Sequence, residues 1–177
     1  FDTPEILRMS LSKLVLRAKR LSGVLQNVAQ RYSSERLPVD VRSVRSLLGF
    51  LPQPPDTRAL QSAISELAAA GAISAAHESA EITSMGIFAE SLPIDLGLCR
   101  LVWLGVLWGC PVEAVVMAAA CASADPFSCP SRMLSPDTEE YVQKLNRSWL
   151  SRKHLDGGHF SEPLMLLRLF CLWASDF

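Results

Sequence analysis

The sequence predicts a mainly α fold in two halves, the first carrying a small β wing. Three observations carry that expectation. Thr3-Pro4-Glu5 is a strong helix start, with Thr as cap, Pro at the first helical position and Glu in the first turn. Ile6, Leu7, Leu11, Leu14, Val15, Ala18 and Leu21 then recur at helical spacing. Pro93–Ala122 is the longest apolar region, broken at Cys110-Pro111 into two helices, and it carries only Asp95, Arg100 and Glu113 as charges.

Taken in order, the first helix carries Arg8, Lys13, Arg17, Lys19 and Arg20, and Ser22-Gly23 can stop it. Val24–Tyr32 reads as another turn or two of helix, and Val39–Gly49 as a short helix exposing Arg42 and Arg45. Pro52-Gln53-Pro54-Pro55 forces an extended connection. Asp56 or Thr57 caps a helix over 58–70 whose inward face is Leu60, Ala63, Ile64 and Leu67, and Gly71 is placed to end it. Ala72–Ser74 and Ala80–Ile82 are expected as two short strands around a turn at His77–Ser79, and Thr83 opens a further helix. Helix, helix, two strands and helix describe a winged-helix-like unit over residues 1–92.

The second half, 93–177, reads as helical. Its opening hairpin is expected to be buried core, with Asp95 capping the first arm. Arg100, the Gly109-Cys110-Pro111 break and Glu113 interrupt the roughly 20 apolar residues that a membrane span needs. Asp137 or Thr138 starts a helix with Tyr141, Val142, Leu145 and Trp149 inward; Ser161-Glu162-Pro163 starts the last helix. The chain begins at Phe1, without an initiator Met, a basic leader or a cleavage pattern, so a piece of a longer intracellular protein is expected.

Apolar residues make up 49% of the chain, which excludes a generally disordered one. The net charge of -1 hides an asymmetry: residues 1–60 hold ten Lys/Arg against five Asp/Glu, and residues 61–140 hold two against ten. The basic part could face a polyanion or an acidic partner domain, or close on the acidic part of the same chain. Cys99, Cys110, Cys121, Cys129 and Cys171 lack CxxC spacing, and His77, His154 and His159 are not spaced with them as metal ligands. Reduced thiols and no metal site are expected.

Three segments then resemble one family, in its order. They are TPEILRMSLSKLVLRAKRL at 3–21, FLPQPPDTRALQSAISELAAAGAI at 50–73, and ITSMGIFAESLPIDLGLCRLVWLGVLWGCPVEAVVMAAACASADPF at 82–127. SEPLMLLRLFCLW at 161–173 is a weaker fourth. The chain resembles the helicase-associated region of DEAH-box (RHA-type) ATP-dependent RNA helicases. That resemblance implies a winged helix followed by a helical, ratchet-like domain, cut short in this chain. Its implied partners are RecA-like motor domains and an OB-fold of the same parent chain, single-stranded RNA, and an activating protein. ATP and Mg would be bound by the parent, in the nucleus or the cytoplasm. Three differences from the family stand out: Gly23–Leu48 is longer than the usual link and reads as an insertion, Glu162 stands where the family has Asp, and Pro163 replaces the expected histidine.

No catalytic or cofactor-binding residue is assigned, since the sequence has no GxxxxGK[ST] loop to wrap phosphates. The candidate contacts to RNA or motor domain are Arg8, Arg17, Arg20, Arg42, Arg45, Arg100, Ser161 and Glu162. Arg8, Arg17 and Arg20 fit either acids and phosphates or a solvated face. Arg42 and Arg45 lie in the insertion. For Arg100 a salt bridge and an RNA channel are both open, and Ser161-Glu162 fits a helix cap as well as an RNA contact. Trp103, Trp108 and Trp149 are expected in the core or at a domain interface. The function that follows is coupling of motor closure to the path of RNA. The alternative is a non-catalytic protein-interaction module, or part of an inactive helicase-like scaffold.

Overall fold

The computed structural model describes residues 11–32, 43–127 and 137–176. It divides into two units, 1–100 and 101–177.

In the first unit the long helix α1 (Leu11–Tyr32) packs on α2 (Val44–Leu48), α3 (Thr57–Ala70) and α4 (Ser84–Ser91). Val15 and Leu16 of α1 are buried, and α1 packs on α3, whose buried face is Leu60, Ala63, Ile64 and Leu67. Burying such aliphatic side chains stabilises by about 1.5–3 kcal/mol each. Ser12 is also buried, and its hydroxyl donates to the Glu66 carboxylate, so it does not enter the core unsatisfied. The helix runs straight through Ser22-Gly23, where a stop was expected. One glycine costs a helix about 1 kcal/mol, too little to end 22 residues anchored on three neighbours.

The ends of α3 and α4 follow local chemistry. The Asp56 carboxylate accepts from Arg58 N at 3.2 Å. Gly71 takes φ 78 as the left-handed cap, its N–H on Ala68 O and that of Ala72 on Leu67 O. Thr83 caps α4 by accepting from Gly86 N at 3.1 Å. The expected β wing between them does not form. Among the described residues there is no β-strand, only one isolated antiparallel bridge, Ile73 to Ile82. The winged-helix reading is therefore corrected: the described chain is almost entirely α-helical. The local hydrogen bonds give the reason. Ser74 N donates to Glu81 O at 2.9 Å, but Glu81 N turns to the Ser74 hydroxyl instead of a strand carbonyl. Lys19 Nζ takes the carbonyls of Glu78 and Ala80, each at 2.6 Å. The Ser74 hydroxyl thus takes a donor that a ladder would use, while Lys19 holds the outward-facing carbonyls of the turn.

The helix α5 (Leu96–Leu107) contains the division between the units. In the second unit, α6 (Pro111–Ala122) and α7 (Thr138–Asp156) both pack on α8 (Glu162–Ser175). Among its described residues the buried ones are few: Val102, Gly105, Ala114, Ala118, Met165 and Leu166. The expectation of a buried hairpin over 93–122 is corrected for its large side chains, since Val106, Leu107, Trp108, Val112 and Val115 are all exposed. The close approach there is between small groups, Gly105 and Ala114. No described helix is long and apolar enough to cross a membrane.

Candidate functional site

The helix α7 buries none of its residues. Of its expected inward face, Tyr141 is half-buried while Val142, Leu145 and Trp149 are exposed, and so is Leu150. Near its C-terminal end, Trp149, Arg152 and Lys153 lie three and four residues apart and so share one side of the helix. Together with Asp156, Phe160, Ser161, Glu162 and Met165 they line an open groove of about 500 Å³.

The loop that ends α7 builds the far part of this groove. Gly157 takes φ 59 and Gly158 φ 82, conformations that favour glycine. The Asp156 carboxylate then gathers three backbone N–H groups: Phe160 and Ser161 at 3.0 Å, and Gly158 at 3.2 Å. Arg168 Nη1 donates to the carbonyls of Leu155 and Asp156, closing the helix end from α8. So held, Phe160 adopts φ 51 and stands 95% exposed. A bulky residue in that region is held there by its surroundings.

The charges are unevenly committed. The Arg152 guanidinium pairs with Asp125 and lies 5.3 Å from the centre of the Phe127 ring, while Ser148 Oγ donates to Phe127 O. Lys153 Nζ sits 5.3 Å from the centre of the Trp149 ring, a contact worth about 0.5–1 kcal/mol when exposed. Two exposed aromatic faces beside an ammonium can stack a planar ring and meet an anionic group. The N–H of Phe160, then that of Ser161, hold the Asp156 carboxyl below its ordinary value; burial opposes them slightly, and Gly158 N–H and His159 add to them. A lowered carboxyl contributes stability above the ordinary carboxylate range and loses it as pH falls through the lowered value. The amide resonances of Gly158, Phe160 and Ser161 are therefore expected to titrate together, below the usual aspartate range, and Asp156→Asn should abolish that common step.

The sequence candidates are not assembled into one site. Arg8 and Arg42 lie outside the described residues. Arg17 is exposed on α1, and Arg20 pairs with Glu90. Arg45 pairs loosely with Glu78 at 4.0 Å, while its backbone N–H and the Ser43 hydroxyl donate to that carboxylate at 2.9 and 2.8 Å. Burial pushes the Glu78 carboxyl up, but these donors and the charges of Arg45 and Lys19 outweigh it and hold the carboxyl below its ordinary value. Burial lowers the Lys19 ammonium, against the pull of Glu78. Among the described residues Arg100 makes no ion pair; it donates to Ala69 O at 3.0 Å, at the C-terminal end of α3, where a cation is favoured.

Ser161 stands at the cap position of α8, but its side chain makes no capping bond. Glu162 is exposed, and with burial it raises the Cys121 thiol. Both line the groove of Trp149 and Phe160. Trp149 is 60% exposed and Trp108 79%, so of the two expected placements, core or domain interface, neither takes the core one. The available signal for the groove was the spacing of Trp149, Arg152 and Lys153 followed by Gly157-Gly158. Among the described residues no group of three His, Cys, Asp or Glu is placed to hold a metal.

No protein-family model matches the chain. It is 30% identical to the DExH-box ATP-dependent RNA helicase DExH1 of Arabidopsis thaliana, over 73% of the chain and 11% of that protein. The putative ATP-dependent RNA helicase ucp12 of Schizosaccharomyces pombe is 30% identical over 82% of the chain and 10% of its own length. The ATP-dependent RNA helicase TDRD9 of Mus musculus is 26% identical over 97% of the chain and 11% of its own length. The chain spans about a tenth of the length of the curated relatives it matches. This is a distant, partial match to DEAH/DExH-type RNA helicases, consistent with a helicase-associated accessory region and not specific for one domain type.

Proposed function

We propose that the chain is an accessory region of a helicase-like protein that couples RecA-like motor domains to the passage of single-stranded RNA. The observation that carries this reading is the extent of the alignment. Similarity to proteins named as ATP-dependent RNA helicases covers most of the chain. ATP and Mg would act in the motor domains; the 177 residues of this chain include no phosphate-wrapping loop for them. Within this chain the groove of Trp149, Lys153 and Phe160 is the surface best suited to RNA. Exposed rings accept bases of any sequence, and an ammonium near them meets the backbone.

Fluorescence anisotropy with a labelled single-stranded oligouridylate tests it. Trp149→Ala is expected to weaken binding about 5- to 160-fold, from the roughly 1–3 kcal/mol that one stacked base contributes. Lys153→Gln should lower the slope of log affinity against log salt by about one phosphate contact. Because Trp149 is mostly exposed, circular dichroism should not change. Equal binding by wild type and Trp149→Ala would remove the groove from the RNA path, and no binding by either would leave the accessory role without its RNA partner.

A second reading rests on the exposed Val142, Leu145 and Leu150 of α7. Such a face suits a non-catalytic protein-interaction module or a part of an inactive helicase-like scaffold. Loss of RNA binding in every arm above would favour it.

A further inference from the structure

Lys13 and Cys99, 86 residues apart, bring two nucleophiles into contact inside the first unit. Lys13 Nζ donates to the carbonyls of Ala89 and Leu92 and lies 3.4 Å from Cys99 Sγ. Cys99 is fully buried, yet its sulfur does not face hydrocarbon alone. It also lies 3.6 Å from Ile94 O and 3.8 Å from Ala89 O. Lys13 as a residue is half-buried, whereas Cys99 has no exposed surface. The two backbone carbonyls fix the lysine against the thiol.

We propose that Lys13 and Cys99 form an oxidative modification site, at which hydrogen peroxide joins Nζ and Sγ through a single oxygen atom. One thiol, one lysine ammonium and two peroxide molecules give the S–O–N bridge, three waters and one proton. The S–H bond, two N–H bonds and two O–O bonds break, S–O and O–N bonds form, and one of the N–H protons leaves to solvent. Sulfur and nitrogen are oxidised, peroxide is reduced, and the other displaced hydrogens leave in water. Two molecules of a dithiol such as dithiothreitol reverse the change, returning thiol, amine and one water as they are oxidised to disulfides. Oxidation of a thiol normally begins at the sulfenic acid and continues to sulfinic acid. At Cys99 the amine is already in contact with the sulfur, so the bridge competes with the second step. The link would tie α1 to the first turn of α5.

The test is peptide mass spectrometry of the 177-residue chain after peroxide treatment, with trypsin digestion. The expected product joins Met9–Arg17 to Ala59–Arg100, uncut at Lys13, heavier than the two peptides by one oxygen and lighter by two hydrogens. Dithiothreitol should remove it, and Lys13→Arg, which retains the charge and the carbonyl donors, should lack it. Oxidation of the exposed Cys171 shows that peroxide acted. Wild-type Tm should rise on treatment, and that of Lys13→Arg should not. Cys99 carrying only sulfinic acid, Cys99 left unoxidised, or the same bridge formed equally in urea would each overturn the proposal.

Discussion

Gly86→Ala is expected to destabilise the first unit by about 3 kcal/mol, at the upper end of the cost of overpacking, and Gly86→Val to prevent its folding. A Cβ on Gly86 would stand 2.1 Å from the Ala72 carbonyl oxygen and 2.7 Å from Ile82 Cγ2. The side chain of Ile82 could rotate away; the carbonyl cannot. It accepts from Thr83 N at 3.1 Å, and Thr83 in turn caps α4 through Gly86 N and donates to Gly71 O at 2.6 Å. Displacing Ala72 would thus disturb the end of α3, the Ile73–Ile82 bridge and the start of α4 together. Gly23→Ala serves as the opposite control. It lies within α1, exposed, with nothing within 4 Å of its added Cβ. That change should stabilise by about 0.5–1 kcal/mol through helix propensity. Urea unfolding followed by far-ultraviolet circular dichroism checks both signs; a Gly86→Ala variant as stable as Gly23→Ala would mean the approach to Ala72 is not there.

The contrast between these glycines shows how much of the fold could be read from the chain. Helix ends at Asp56, Gly71, Thr83 and Asp137 were legible because each depends on residues within three or four positions. The stop expected at Ser22-Gly23 failed because a weak local preference met tertiary packing along α1. The wing failed at one hydrogen bond: the Glu81 N–H, which a ladder would give to the Ser74 carbonyl, goes to the Ser74 hydroxyl, and only the Ile73–Ile82 bridge forms. A serine that competes with its own backbone in this way does not show in a propensity pattern.

The site was legible in part. Ser161 and Glu162 do line the groove, whereas Trp149 was expected inside and Lys153, Arg152 and Phe160 were passed over. Apolar residues at helical spacing normally mark a core face. On α7 the same spacing leaves Val142, Leu145 and Trp149 exposed, because the second unit closes around small residues elsewhere. Hydrophobicity alone cannot distinguish a face that is buried from one that stands open. Arg100 illustrates the limit for charges: its partner is a backbone carbonyl, which no reading of side-chain charges would find.

That reliance on small residues makes Gly105→Ala the second large effect. Its Cβ would lie 2.2 Å from the Ala114 Cβ and 3.1 Å from Cys110 O, and Ala114 is itself buried. Helix propensity alone would favour the alanine by about 1 kcal/mol, so a net loss of about 1–3 kcal/mol would measure the clash. Ala114→Gly removes the opposing methyl group and costs about 1 kcal/mol or more by itself. Combined, the two changes move one methyl group from α6 to α5, leaving only the Cys110 carbonyl to adjust. The double variant should be more stable than the sum of the singles predicts, with a coupling of about 1–2 kcal/mol. Trp103, Trp108, Trp149 and Trp173 all lie in the second unit, so the tryptophan transition in urea reports it directly. Additive losses would show that Gly105 and Ala114 do not press on each other; a coupled rescue would show that the α5–α6 contact closes at this pair, leaving the large apolar residues free to face outward.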